Sequence, residues 1–148
     1  MQVTHKDPVF KDARGQITDI FEGSKFDCLT ILTCKKGSVR GNHFHKATTQ
    51  YTYILDGKFR FFAQSPGKKV ESKMVRPGDL VISPPLERHA FEALENSRML
   101  AFCTGPRAGK QYETDTFKLE IPISGSTRTA GKTTKKKKSA IAITKKML

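Results

Sequence analysis

No stretch of ten or more residues in this chain keeps an apolar period of 3.6. Short apolar and β-branched runs instead recur between turn signals. Phe26 to Thr33 (FDCLTILT), QYTYIL, KFRFFA, VESKMV, LVIS, HAFEAL and RMLAFC follow one another, with GQITDIF ahead and TFKLEIPI behind. Asp12-Ala13-Arg14-Gly15, Lys35-Lys36-Gly37, Gln64 to Lys69, Arg76-Pro77-Gly78-Asp79, Pro84-Pro85 and Gly105 to Gly109 break them up. Strands at such intervals, without a helical segment between them, predict an all-β sandwich or barrel. Met1 to Arg14 reads as a lead-in.

A chain of 148 residues has room for one domain. The net charge of +13 is mostly a property of one end. From Ser124 onward there are eight basic residues and no acidic one, which leaves the body at only +5. The division expected is a β-domain over 1–123 and a lysine-rich flexible tail over 124–148, too polar to bury enough surface to order itself. Lys135 to Lys138 lack interleaved aromatics, so a solvated tail is the expectation over a nucleic-acid contact. No run is long enough for a membrane span and the N-terminus lacks an apolar signal region, so a cytoplasmic protein is expected. Cys28, Cys34 and Cys103 are odd in number and form no C-x-x-C, which fits buried reduced thiols.

The chemistry concentrates in Gly37 to Gly57, GSVRGNHFHKATTQYTYILDG. His43 and His45 are two apart, so on a strand both imidazoles point to one face and a divalent metal can use the pair. Asp56-Gly57, between QYTYIL and KFRFFA, reads as a two-residue hairpin turn with KFRFFA as the second arm. Gln50 and the more distant His89 are positioned to join the two histidines. His5, standing alone, reads as a surface or hydrogen-bonded residue. Tyr51 and Tyr53 alternate with Gln50 and should face away from its cavity, toward packing or a dimer interface. Phe59, Phe61, Phe62, Phe91 and Phe102 read as core.

Two longer patterns run through these residues. Gly37, His43, His45, Gln50 and Gly57 are separated by five, one, four and six residues, which resembles the first cupin motif with Gln50 in place of its usual Glu. Gly78, Pro84, Leu86 and His89, separated by five, one and two, resemble the second, with Leu86 where Gly is usual. Ala93 stands where that motif has Asn. The resemblance implies a small single-domain jelly-roll barrel with His43, His45, Gln50 and His89 around one divalent metal. Imidazole suits Zn, Fe, Ni or Mn. Gln50 is neutral and donates less charge than a carboxylate, and it can equally orient a substrate through hydrogen bonds. No organic cofactor is expected.

A second resemblance narrows the expected function. Asp12-Ala13-Arg14-Gly15 and Val39-Arg40-Gly41-Asn42-His43-Phe44-His45-Lys46 are similar to segments of nucleotide-sugar cupins. Those are the deoxyhexulose 3,4-ketoisomerases, the C-terminal cupin of capsular-polysaccharide reductases and the rhamnose-pathway 3,5-epimerases. Asp115-Thr116-Phe117 resembles the end of the capsular cupin. The family match implies an isomerase or epimerase of a nucleotide-linked keto-deoxysugar in polysaccharide biosynthesis. His43 would act as the base, Arg40 would contact diphosphate or sugar oxygens, and Lys46 and Gln50 would bind substrate. His43 cannot serve freely as base and metal ligand at once. A homodimer is expected. The rival expectations are an Fe(II) dioxygenase and a non-enzymatic sugar- or small-ligand-binding module.

Overall fold

The computed structural model describes residues 1–106, 109–111 and 113–125. The lysine-rich tail lies outside the described residues except for Ser124 and Gly125. The described residues form β-strands and one short 3-10 turn, Gly109–Gln111. In chain order the strands are β1 (Gln2–His5), β2 (Phe10–Asp12), β3 (Gly15–Ile17), β4 (Cys28–Cys34), β5 (Val39–Phe44) and β6 (Thr49–Asp56). There follow β7 (Phe59–Gln64), β8 (Glu71–Val75), β9 (Asp79–Ser83), β10 (Arg88–Ala93), β11 (Ser97–Thr104) and β12 (Phe117–Lys118).

Two five-stranded sheets face each other, ordered β1-β9-β6-β11-β4 and β12-β5-β10-β7-β8, and β2 with β3 forms a separate hairpin. Every pairing is antiparallel. Alternation along the strands fills the space between the sheets. Ile54 and Met99 come from one sheet and Phe59, Phe61 and Phe91 from the other, none more than 2% exposed. Phe62 is buried too, but on the opposite face of β7, where it joins Ala90 and Ile123 in a smaller cluster.

Three expectations from the sequence need correcting. The lead-in carries a strand that the sequence reading did not place: β1 pairs with β9 from Gln2↔Ile82 to His5↔Asp79, and Val3 packs against the core. Asp56-Gly57 is a turn, with Gly57 at φ 82°, yet β6 and β7 do not pair and instead belong to opposite sheets. The turn is a corner rather than a hairpin. A Cβ on Gly57 would fall within bonding distance of the Ser97 side chain, whose hydroxyl accepts the Lys58 N–H at 2.9 Å, so the corner is stitched to the β10–β11 turn. Both strands carry large apolar residues on their inward faces, and crossing between sheets buries both sets. Phe102 is not core either. It faces outward with Tyr51, and Phe21 and Phe26 cover the pair at ring-centroid separations of 4.8–5.5 Å.

Leu86 has φ 72°, a left-handed conformation that costs a β-carbon-bearing residue about 1–2 kcal/mol. Its N–H donates to the His45 carbonyl at 2.7 Å, so the turn ahead of β10 is tied to the end of β5. This explains why the motif usually has Gly there. Leu86→Gly should therefore raise stability, by up to about 1 kcal/mol after the entropy of a freer unfolded chain is deducted. A denaturant midpoint lower than that of the parent would contradict this.

Candidate metal centre and substrate cavity

His43 reaches its place through a defect in the β5–β10 ladder. His89 pairs with His43 but Ala90 pairs with Gly41, so Asn42 is an extra residue in β5. Gly41 and Asn42 accommodate this at φ 97° and 53°. A Cβ on Gly41 would lie 2.6 Å from the His89 carbonyl oxygen, so only glycine lets the strands approach here. Asn42 then anchors the end of the described chain. Its backbone oxygen accepts from Leu119 N–H at 2.8 Å, its side-chain oxygen accepts from Ile123 N–H at 3.0 Å, and its amide donates to the Ser124 hydroxyl at 3.1 Å. The strap from 113 to 125 is thereby fastened beside β5. Phe117 stacks on Phe44 at 5.4 Å, and the Lys46 ammonium sits 4.2 Å from the Phe117 centroid.

His43, His45 and His89 each offer a nitrogen within 4.8 Å of the others, and their ring centroids are 4.8–5.3 Å apart. Backbone carbonyls set the tautomers of two of them. His45 Nδ1 lies 2.7 Å from the Asp115 oxygen and His89 Nδ1 lies 3.2 Å from the Glu87 oxygen. A carbonyl can only accept, so each Nδ1 carries the hydrogen and leaves the Nε2 lone pair for other use. His45 Nε2 is buried with no hydrogen-bond partner among the described residues. Gln50, on the facing sheet, donates from Nε2 to the Thr52 hydroxyl at 3.0 Å, and its buried Oε1 likewise has no partner there. Buried acceptors left unpaired cost about 1–3 kcal/mol each. Imidazole nitrogens fixed from behind by carbonyls, with an amide oxygen near them, fit a divalent cation. The cluster could therefore hold a metal.

A cavity of about 220 Å³ opens beside this cluster, and His43, Gln50, His89 and Arg40 line it. Arg40 is exposed at its rim and donates to the Thr33 carbonyl at 2.9 Å. His45 lies behind the lining, 2% exposed, and Lys46 is turned toward Phe117 and does not line the cavity. His5 is outside the site altogether, bonded to Asp79 at 2.7 Å.

Sequence reasoning missed what holds the histidines and Gln50 in place and what the strap contributes. Thr52, two residues from Gln50 and on its face, was findable from strand alternation. Glu113, Thr116 and Lys118 also line the cavity, and Lys118 is the cross-strand partner of His43. Asp115 stood inside a family-like tripeptide without a role. Its carboxylate accepts the N–H groups of Lys46, Ala47 and Thr48 at 2.7–2.9 Å, while its carbonyl fixes His45. Burial by itself would raise this carboxyl, but the Lys46, Ala47 and Thr48 N–H groups outweigh it and hold the pKa at about 2.

A family model described as cupin matches residues 22–123. The chain belongs to the cupin family. No curated protein matches it significantly. Among solved structures, the sugar 3,4-ketoisomerase QdtA from Thermoanaerobacterium thermosaccharolyticum, in complex with TDP, is 17% identical with a TM-score of 0.67. The match covers 80% of this chain and 88% of that one. The dTDP-6-deoxy-D-glucose-3,5-epimerase RmlC from Legionella pneumophila, in complex with dTDP-4-keto-L-rhamnose, is 15% identical at a TM-score of 0.66, over 79% of this chain and 71% of that one. The capsular polysaccharide assembling protein CapF from Staphylococcus aureus is 19% identical at 0.56, over 74% of this chain and 33% of that one. At these identities the likeness speaks for the shared cupin fold.

Two outcomes follow from the geometry. A folded-state pKa of about 2 lies below the unfolded value, so Asp115 stabilises the fold above about pH 4 and that contribution is lost as pH falls through about 2. Asp115→Ala should cost about 3 kcal/mol at neutral pH and flatten the stability–pH curve between those limits, as read from denaturant midpoints across the acid range. Gly41→Ala should destabilise by about 2 kcal/mol or more, because its new methyl meets backbone rather than a movable side chain. An unchanged melting temperature would show that the bulge tolerates a β-carbon.

Proposed function

We propose that this cupin isomerises or epimerises a nucleotide-linked keto-deoxysugar by removing a proton from the carbon beside the carbonyl. The observation that carries this reading is the placement of His43. It is half-buried on the wall of a cavity whose rim carries Arg40, whereas His45 and His89 are buried and fixed from behind. Two of the similar proteins add support, one a sugar 3,4-ketoisomerase bound to TDP and the other a 3,5-epimerase bound to a dTDP-linked keto sugar.

In this reading the His43 imidazole accepts the proton, a task worth roughly 10²–10⁴ in rate for a positioned general base. Arg40 keeps guanidinium N–H groups beyond the one used by Thr33 and offers them to the diphosphate. Gln50, oriented by Thr52, presents an acceptor to a sugar hydroxyl or a ligand to a cation. His45, His89 and Gln50 would hold a divalent metal with His43 as the further donor, and the bound ion would supply positive charge beside a developing enolate. Proton acceptance and metal ligation exclude each other at one nitrogen of His43, so the base role requires that any ion be held by His45, His89 and Gln50 without it. Residues 1–123 form the catalytic unit in this reading, acting as a homodimer in the cytoplasm, where its thiols stay reduced.

The test is incubation with a dTDP-linked 4-keto-6-deoxyhexose in D₂O. Deuterium should enter at C3 or C5, and His43→Asn should slow the exchange by at least about 100-fold. Arg40→Met should raise KM about 10-fold or more with a smaller effect on kcat. Binding without exchange would favour a non-enzymatic module, and O₂ consumption by the Fe(II)-loaded protein would favour a dioxygenase. Zn²⁺ or Co²⁺ should raise the melting temperature, and a His45→Ala/His89→Ala variant should lose that rise. An equal shift in both proteins would remove the metal from the proposal.

A further inference from the structure

Strands β1 and β8 are outer edges of opposite sheets and do not pair with each other. A second cavity, of about 320 Å³, lies where these edges meet the β6–β7 corner and the β8–β9 turn, and it shares no lining residue with the one His43 lines. Val3, His5, Lys58, Lys73, Arg76 and Asp79 are among its walls. Its size falls in the range of small-molecule sites, about 300–1,000 Å³. Lys73 pairs with the core residue Phe61, so it stands on the inward face of β8, toward the opposite sheet. An inward lysine on an edge strand discourages pairing with another chain. That role needs one charge, whereas this cavity has three cationic side chains.

His5 is built into the wall. Its Nδ1 lies 2.7 Å from Asp79 Oδ1, and its ring lies against Gly78, where a Cβ would come within 2.7 Å of Cε1. The Lys6 N–H donates to the Gly78 carbonyl at 2.9 Å, which ties the end of β1 to the same turn. Asp79 is buried with both oxygens engaged, since Oδ2 accepts the Arg76 N–H at 3.0 Å. Its charge is thus spent on the turn and on His5. Lys58, Lys73 and Arg76 form no ion pair among the described residues. The hydrogen bond of the His5 ring runs through Nδ1, which leaves Nε2 for a ligand.

We propose that this seam cavity is a second binding site that takes a phosphate group, free or carried on a small ester. Phosphate offers negative charge to the three cations and accepts several N–H bonds at once, and the planar fork of Arg76 matches its oxygens. With the Nδ1 hydrogen directed at Asp79, neutral His5 accepts the P–OH hydrogen of a phosphate monoanion at Nε2, and the imidazolium donates from Nε2 to a dianion. A neutral or cationic ligand would leave three like charges uncompensated around it. Val3 adds apolar surface for the body of an ester. The bound group would bridge β1 and β8, two edges that share no ladder. The site stands apart from Arg40 and His43 and does not depend on the proposed reaction.

Proton NMR of the full chain tests this at one resonance, because the chain has four histidines and three of them form the other cluster. The His5 Hε1 signal, assigned by its loss in His5→Gln, is followed at fixed pH while inorganic phosphate or phenyl phosphate is added. It should shift and saturate with a dissociation constant of about 1 mM or lower, whereas chloride at equal ionic strength should leave it in place. A tighter constant for phenyl phosphate assigns the site to an ester, and an equal or weaker one to free phosphate. Lys73→Gln/Arg76→Gln should raise the constant at least about 10-fold while keeping a cooperative melt. Arg40→Met, in the other cavity, should leave the titration unchanged. A wild-type signal that does not saturate, an equal response to chloride, an undiminished response in Lys73→Gln/Arg76→Gln, or its loss in Arg40→Met would each overturn the inference.

Discussion

The extra residue in β5 governs more of this molecule than any other local feature. Without Asn42 as an extra residue, Arg40 and His43, three apart, would fall on opposite faces of β5. With it, Arg40 pairs with Phe91 and His43 with His89, and both Arg40 and His43 line the cavity. The bulge sets His43 opposite His89 and at the same time turns the Asn42 side chain outward to bind Ile123 and Ser124. Glycine at position 41 is therefore a packing requirement as well as a conformational one, because the His89 carbonyl occupies the place of its β-carbon.

The strap repays that anchorage. Asp115 holds the Lys46–Thr48 turn through its carboxylate and the His45 ring through its carbonyl, so one residue fixes both the chain leaving β5 and the tautomer of a cluster histidine. Lys118 and Thr116 reach the cavity from the same segment. Two-residue β12 adds few ladder bonds. What keeps it in place is the Phe44–Phe117 stack, the Lys46 cation over that ring, and Asn42. The site thus draws on three remote stretches that must all be seated before any one of its histidines is correctly aimed.

Much of this was legible because spacing encodes it. His43, His45, Gln50 and His89 group through the match of their spacing to the cupin motifs, and the three histidines do cluster. Leu86, standing at a motif glycine, has the left-handed backbone that glycine usually supplies. Tyr51 and Tyr53 follow the period of two. The failures came where a local signal has two global outcomes. Asp56-Gly57 specifies a reversal, but whether the next strand pairs or crosses depends on which faces need burial. Phe102 has core composition on an outward position, and only the pairing with Tyr51 tells inner from outer. Asp115 acts through hydrogen bonds to residues far along the chain, and no composition or period marks such partners in advance.

Strand β6 shows how one segment serves two demands. Its inward residues, Gln50 and Thr52, are polar and nearly fully buried, an arrangement that costs free energy unless a ligand or cation satisfies Gln50 Oε1. Its outward residues, Tyr51 and Tyr53, are half-buried, and Phe21 and Phe26 pack edge-on against Tyr51 at 5.2 and 5.5 Å. That outward packing restrains the backbone from which Gln50 is aimed, so the subunit itself settles one face of the strand and leaves the amide oxygen on the other for a ligand or cation.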